Sequence, residues 1–407
     1  MTAVVDQVRA NQRSFGVEEE YQLLNTWTGR PENRAAEIIT ALPELNGRAE
    51  REFLASELET ATPVCHFAEQ AESSLEDFRR RVALAAADQD VVLAGTGLPP
   101  VGGDTVASVT PKARYQAIDE AMRSAAAHQY STGTHVHVEV PSRDVGIEVL
   151  ARLAPWTPAL LALSANSPVW NGEPSGFASW RHIMGLSWPT SGYPPAFHDA
   201  SEYERVIAQL VDSGILLDSA MLTWTCRLSE RYPTVELRIA DAQLTAQDSV
   251  AFAVIVRALV ERCVREWEQG VARPQIHPAL LSGSTWLAAR DGLQAELPDP
   301  LDGRPRSAFS VAERMANFVE LELTRFGDSQ RVDRYLDRLG ETGGPAQVQL
   351  DHFADAGVHG LLDLYERGAA ETLQDEEPAV IGTLPEIHES GTAETLPQPP
   401  RPEMSAG

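Results

Sequence analysis

An α+β fold, one antiparallel sheet with helices gathered on one side, is what the sequence predicts, on two observations. Four short stretches alternate polar and apolar residues with period two, the mark of half-buried strands: residues 15–24, 54–60, 134–140 and 234–240. Longer segments of helical spacing separate them at 66–90, 145–164, 201–213, 247–269, 307–324 and 347–367, without the regular strand–helix alternation of a parallel sheet and without an internal repeat.

Taken in order, residues 1–13 form an N-terminal arm with no pattern, and residues 14–370 form a single domain. In the first strand Phe15, Val17, Tyr21 and Leu23 share a face, which leaves Glu18 and Glu20 on the other and puts Glu19 among the apolar set. The second strand pairs Glu57 with Glu59 in the same way. A short strand is expected at 91–94. The third main strand sets Val136, Val138 and Val140 against His135, His137 and Glu139; the fourth carries Glu236 and Arg238 on its polar face. The segment 170–195, dense in Trp, Gly and Pro, reads as a wall or lid. The segment 247–269, apolar through its first half, reads as a core helix, with an interface in a homo-oligomer as the alternative. From 371 to 407 the chain is rich in Glu, Pro and Thr and lacks the apolar residues to offset its ordering entropy, so it reads as a disordered acidic tail.

The totals exclude several classes. A net charge of −26 opposes binding to phosphate backbones, so nucleic acid is not an expected partner. The tail holds eight acidic residues and one basic, only seven of those charges, so the folded part is itself acidic. No apolar run reaches the ~20 residues of a membrane span, and the N-terminus has no basic-then-apolar leader. Three widely spaced cysteines, Cys65, Cys226 and Cys263, read as reduced, buried thiols. A cytoplasmic protein that handles small molecules is the expectation.

Antiparallel sheets commonly show one polar face to water, and any single strand here fits that plain reading. Solvated faces usually mix Thr, Lys, Ser and Gln, however, whereas these four hold Glu, His and Arg almost alone. Carboxylates so clustered repel each other unless cations sit among them, and oxygen ligands with one imidazole favour Mg²⁺ or Mn²⁺. Arg238 beside Glu236 adds a fixed cation of the kind that steadies a transferring phosphoryl group. The chain has no Gly-x-x-x-x-Gly-Lys-Ser/Thr loop, and Gly95-Thr-Gly97 lacks the rest of a dinucleotide fingerprint. A nucleotide must then be held through metals and strand-borne side chains. Lys112 is the only lysine, which leaves Arg114 and Arg181 as candidates for anionic substrate groups. His135-x-His137 also fits a metal-dependent hydrolase, and a non-catalytic protein on the same fold is a third reading.

Five segments together carry a resemblance: Phe15-Gly-Val-Glu-Glu-Glu-Tyr21, Gly133-Thr-His-Val-His-Val-Glu139, Ala165-Asn-Ser-Pro-Val-Trp-Asn-Gly172, Ser179-Trp-Arg181 and Pro233-Thr-Val-Glu-Leu-Arg238. In this order they resemble the type 2 glutamate–cysteine ligase family, the bacterial carboxylate–amine ligases. The resemblance implies a glutamine-synthetase-like curved antiparallel sheet forming a funnel, with helices on its outer face. It also implies ATP and Mg²⁺ as cofactors and amide formation through an acyl phosphate with release of ADP and phosphate. Glu18, Glu20, Glu57, His137 and Glu236 are the implied metal ligands, with Glu59 and Glu139 as weaker matches. Glu18, Glu20 and Arg238 would face the nucleotide, Arg238 would meet the phosphoryl group, and Arg181 and Arg114 would hold the acceptor carboxylate. One departure is visible: relatives often carry Gly-x-His-Pro after the 91–94 strand, where this chain has Gly95-Thr-Gly-Leu-Pro99.

Overall fold

The sheet is built outward from its longest strand. In this computed structural model, which describes residues 12–102 and 106–370, β1 (Phe15–Asn25) pairs on one edge with β3 (Glu57–Ala61) and on the other with β5 (Gly133–Glu139) and then β4 (Val91–Ala94). Beyond β3 lies β2 (Ala49–Arg51); beyond β5 lie β9 (Thr234–Asp241) and β8 (Cys226–Leu228). All seven strands pair antiparallel. Two-stranded ribbons, β6 (Val169–Trp170) with β7 (Glu173–Pro174) and β10 (Glu296–Pro298) with β11 (Pro305–Ser307), stand apart from the sheet. The α+β class predicted from period-two patterning is the one observed. Most of the expected N-terminal arm and all of the expected acidic tail lie outside the described residues.

Period two has its usual physical consequence here. Val17, Val136, Val138, Val235 and Leu237 are buried on one face in a single core with Leu75 of the helix Ala68–Ala87 and with Val250 and Val254 of the helix Ala246–Glu268. The latter is a core helix, as expected: Val250 to Val260 is fully covered. Glu19, alone on that apolar face, is matched by Arg79 of the packing helix, whose Nη2 donates to Glu19 Oε1 at 2.6 Å. Cys65, Cys226 and Cys263 are buried free thiols.

Some predicted helices change on folding. The 145–164 segment breaks into Arg143–Leu153, a 3₁₀ turn Ala154–Trp156 and Thr157–Ser164, because Pro155 and Pro158 cannot donate backbone bonds. By length and composition the whole stretch Arg143–Ser164 could cross a membrane, contrary to the expectation that no such run exists; 83% of its most apolar window is buried inside the fold, as in a core helix. The 307–324 segment is two helices, Ala308–Phe318 and Glu320–Phe326, and the 347–367 segment extends over Pro345–Ala370 with a kink at Gly357. Helices at Ala113–Met122, Pro278–Asp291 and Ser329–Thr342 were not among the predicted segments.

Candidate functional site

Strand register brings the polar residues of the sheet together. Gly16 faces His137 and His137 faces Glu236, which in turn faces Arg227 of β8, so one row of the ladder runs across four strands. In the next row of this face Glu18 lies opposite His135, and in the row after it Glu20 lies opposite Glu59. Between Thr134 and Val136 the β5–β9 register shifts, so that Arg238 and Ile239 together oppose His135. This bulge reverses the alternation beyond it and sets Asp241 opposite Gly133, on the face that already holds Glu236 and Arg238.

Glu18, His137 and Glu236 each offer a ligand atom, all within 4.8 Å of one another, the single such group of three among the described residues. Thr234 Oγ1 lies 2.9 Å from His137 Nδ1, which leaves Nε2 to face the carboxylates. That Nε2 is buried, 3.2 Å from a Glu18 oxygen, yet outside hydrogen-bonding geometry with any partner. A buried imidazole nitrogen beside two carboxylates fits a divalent cation, and the donor set of two carboxylates with one imidazole fits Mg²⁺ or Mn²⁺. Burial alone would raise the Glu18 pKa, but the imidazoles of His135 and His137 outweigh it and hold the carboxyl well below its usual range. For Glu236, Arg238 and Arg227 likewise overcome burial and keep it ionised.

A second acidic group lies alongside. Burial, and next the carboxylate of Glu52, push Glu20 up to about 7 against the opposing pull of Arg238 and Arg181. Burial followed by the repulsion of Glu52 and Glu20 drives Glu57 and Glu59 well above the carboxylate range. Cations among them would reverse these shifts, the second physical sign that the face suits metal ions.

Of the predicted residues, then, Glu18, His137 and Glu236 form one cluster, and Glu20, Glu57 and Glu59 form its acidic flank. Glu139 is different: it is exposed at the end of β5, where it accepts from Ser14 Oγ and N at 2.8 and 3.3 Å. His135 does not act as a second imidazole of the cluster; it is buried between Glu18 and Arg238, and burial and then Arg238 bring its pKa down to about 4. Arg114 lines the smaller cavity, and its Nε and Nη2 donate to Asp218 at 2.8 and 2.9 Å in a half-exposed pair.

Two cavities open on this face. A larger one of about 690 Å³ is lined by Glu18, His137 and Glu236, with Arg48, Arg143 and Tyr232 farther out. A smaller one of about 230 Å³ is lined by Glu20, Glu52, Glu57, Arg114, Arg181 and Arg238. Ala220 and Leu222 border both. The 170–195 segment supplies wall residues of the smaller cavity, among them Arg181, Leu186 and Trp188.

Arg181 is placed by close backbone approach. A Cβ on Gly133 would stand 2.4 Å from Arg181 Nη2 and 2.9 Å from Ala240 O, so only glycine lets the guanidinium lie against β5. Its Nη1 sits 3.6 Å from Asp241, which is held by Asn166 N, Ser167 Oγ and Ser179 Oγ, and its Nε is buried without a partner. Gly95 and Gly97 serve the same backbone packing: a Cβ on Gly97 would meet the Asp241 carboxylate at 2.7 Å, and one on Gly95 would meet Gln243 O at 2.1 Å.

Three participants escaped the sequence reading. Glu52 lies off the strands, Asp241 is moved to the polar face by the bulge, and Arg227 depends on the β8–β9 pairing. Arg227 donates from Nε and Nη2 to the two oxygens of Glu236 at 2.8 and 3.1 Å.

The model of the family described as Glutamate-cysteine ligase family 2 matches residues 14–366. A Rhodococcus jostii (strain RHA1) protein named "Putative glutamate--cysteine ligase 2-1" is 35% identical over 358 residues, 87% of this chain and 96% of its own length. A relative from Rhodopirellula baltica, named "Putative glutamate--cysteine ligase 2", is 32% identical over 342 residues, 83% of this chain and 92% of its own. Among solved structures, the glutamate–cysteine ligase (gshA) of Francisella tularensis in complex with AMP is similar at a TM-score of 0.66 and 14% identity, covering 88% of both chains. A bifunctional glutathione synthetase from Pasteurella multocida gives 0.63 at 13% identity, over 91% of this chain and 54% of that one. At such identities the likeness is one of fold.

Proposed function

Since the chain belongs to glutamate–cysteine ligase family 2, we propose that it is an ATP- and Mg²⁺-dependent carboxylate–amine ligase that forms an amide through an acyl phosphate, releasing ADP and phosphate. The observation that carries this reading is the Glu18–His137–Glu236 group lining the larger of the two cavities, with the buried Nε2 of His137, 3.2 Å from a Glu18 oxygen, at its centre.

In this reading Glu18, His137 and Glu236 hold one divalent ion, and Glu20, Glu57 and Glu59 hold others. Bound there, such ions supply charge neutralisation between a carboxylate and the phosphates of ATP. The larger cavity, with Arg48, Arg143 and the exposed ring of Tyr232, takes the nucleotide. The smaller takes the carboxylate to be activated, glutamate in the family's name, with the partnerless Nε of Arg181 toward its second carboxylate. Arg238, between Glu236 and His135, lies where charge builds on the transferring phosphoryl oxygens.

The chemistry follows from the starting materials. Attack on a carboxylate would add charge to an anion; transfer of the γ-phosphoryl group to one of its oxygens makes an anhydride with a good leaving group. The amine then forms the C–N bond as phosphate departs, and the wall made by the 170–195 segment limits competing water. A His-x-His hydrolase fits less well, because a single imidazole joins the metal-binding group.

Incubation with ATP, Mg²⁺, glutamate and a panel of amines is expected to yield ADP and phosphate in step with amide, and to stop when EDTA removes the metal. Formation of AMP and pyrophosphate, or turnover indifferent to EDTA, would contradict the proposal.

A further inference from the structure

We infer that His182 is the general base that takes a proton from the attacking amine. This rests on the ligase reading above and adds a catalytic residue to it. His182 sits beside Arg181 on the helix Trp180–Gly185, and both line the smaller cavity. It also lines a third cavity of about 660 Å³, with Leu150, Phe197, Trp224 and Leu281 in its wall. Leu186, Gly192 and Thr225 border the same two cavities, so the residue stands at their junction.

Only 8% of His182 is exposed, yet neither ring nitrogen has a hydrogen-bond partner among the described residues; its bond to Ser179 Oγ, at 3.2 Å, is made by the backbone N. A covered imidazole without a partner is a polar group that a ligand can satisfy. Its charge state suits a base. Burial and then Arg181 bring the ring down to about 4, so it is neutral at physiological pH although Glu20, Glu52 and Glu57 line the same cavity. Once the substrate's second carboxylate pairs with Arg181, the pull of that guanidinium is cancelled. The ring then becomes a stronger base at the stage when a nucleophile has to be deprotonated.

An alkylamine reaches the site as an ammonium and sheds two protons in becoming an amide. Its lone pair forms the C–N bond while the C–O bond to phosphate breaks; one proton leaves with the phosphate, and the other passes to a base and then to water. The carboxylates of the cavity are poorer claimants. Glu20 and Glu57 are engaged by cations in this reading, and Glu52, which accepts from the Tyr115 hydroxyl at 3.4 Å, belongs to the same acidic flank, where its charge raises Glu59. Of the two imidazoles in the lining, His135 is held between Glu18 and Arg238, which leaves His182.

His182→Gln keeps a polar side chain of similar reach that cannot take a proton; His182→Asn serves in its place if thermal unfolding shows a damaged fold. With Mg-ATP and glutamate, the variant is expected to lower kcat by about 10²-fold or more with the most active amine of the panel, the low end for a lost general base. With hydroxylamine, a nucleophile already unprotonated at neutral pH, the loss of hydroxamate formation should stay below about fivefold. Equal losses with both nucleophiles would make His182 a structural residue and overturn the inference, as would no loss with either. The nucleophile-dependent loss found in Glu52→Gln and absent from His182→Gln would give the proton to the carboxylate and overturn it too. A parent protein that makes neither amide nor hydroxamate would sink the ligase reading itself, and the base with it.

Discussion

Glu236→Gln is expected to lower amide formation by about 10³-fold, the rate equivalent of losing roughly 4 kcal/mol of charge stabilisation around a bound metal. The carboxylate sits at the meeting point of three functions: it faces His137 across β5–β9, takes the two-armed guanidinium of Arg227, and pairs with Arg238. Glutamine keeps the shape and one acceptor oxygen but removes the charge that draws a cation and balances two arginines. Glu236→Ala is the poorer test, because it leaves Arg227 and Arg238 together without their anion and so mixes a folding defect with a catalytic one. Steady-state kinetics alongside thermal unfolding checks the prediction. Turnover within threefold of the parent protein would show that Glu236 has no part in the reaction.

Much of this site could be read before the fold was known, for a definite physical reason. Strands β1, β5 and β9 are long enough for alternation to be unmistakable, and a strict period of two assigns Glu18, Glu20, His137, Glu236 and Arg238 to one face without reference to neighbours. What escaped depends on pairing. The bulge opposite His135 moves Asp241 to the polar face, against the alternation of its own strand. The three-residue strands β2 and β8 are too short to show a period, so Arg227 and its hold on Glu236 were invisible. Arg114 was picked out by its charge alone; the Asp218 that pairs with it stands 104 positions away. The helix Ser329–Thr342 does carry apolar spacing in Val332, Tyr335, Leu336 and Leu339, but its dense flanking charge hides that stripe.

The second large effect concerns stability. Arg79→Ala is expected to cost about 3–5 kcal/mol, the range for removing one partner of a buried ion pair. Arg79 and Glu19 are 3% and 1% exposed, so whichever remains has no water to turn to. Arg79 donates to both Glu19 oxygens and to the carbonyls of Leu244 and Gln243, while Tyr21 and Ser249 also donate to Glu19. The pair therefore ties the middle of β1 to the chain just beyond β9, and it fixes the residue between Glu18 and Glu20. Glu19→Leu should cost a similar amount, and the double variant less than the two together, since each single change strands the other's charge. Equilibrium urea unfolding measures all three. A loss below about 1 kcal/mol in Arg79→Ala would place the pair among the inconsequential ones.

Crystals grown with Mn²⁺ and a non-hydrolysable ATP analogue, measured at the manganese absorption edge, would locate the metal without relying on activity. The account predicts an anomalous peak bonded to Glu18, to Nε2 of His137 and to Glu236. Manganese found only elsewhere, with Nε2 of His137 free of it, would contradict the central claim.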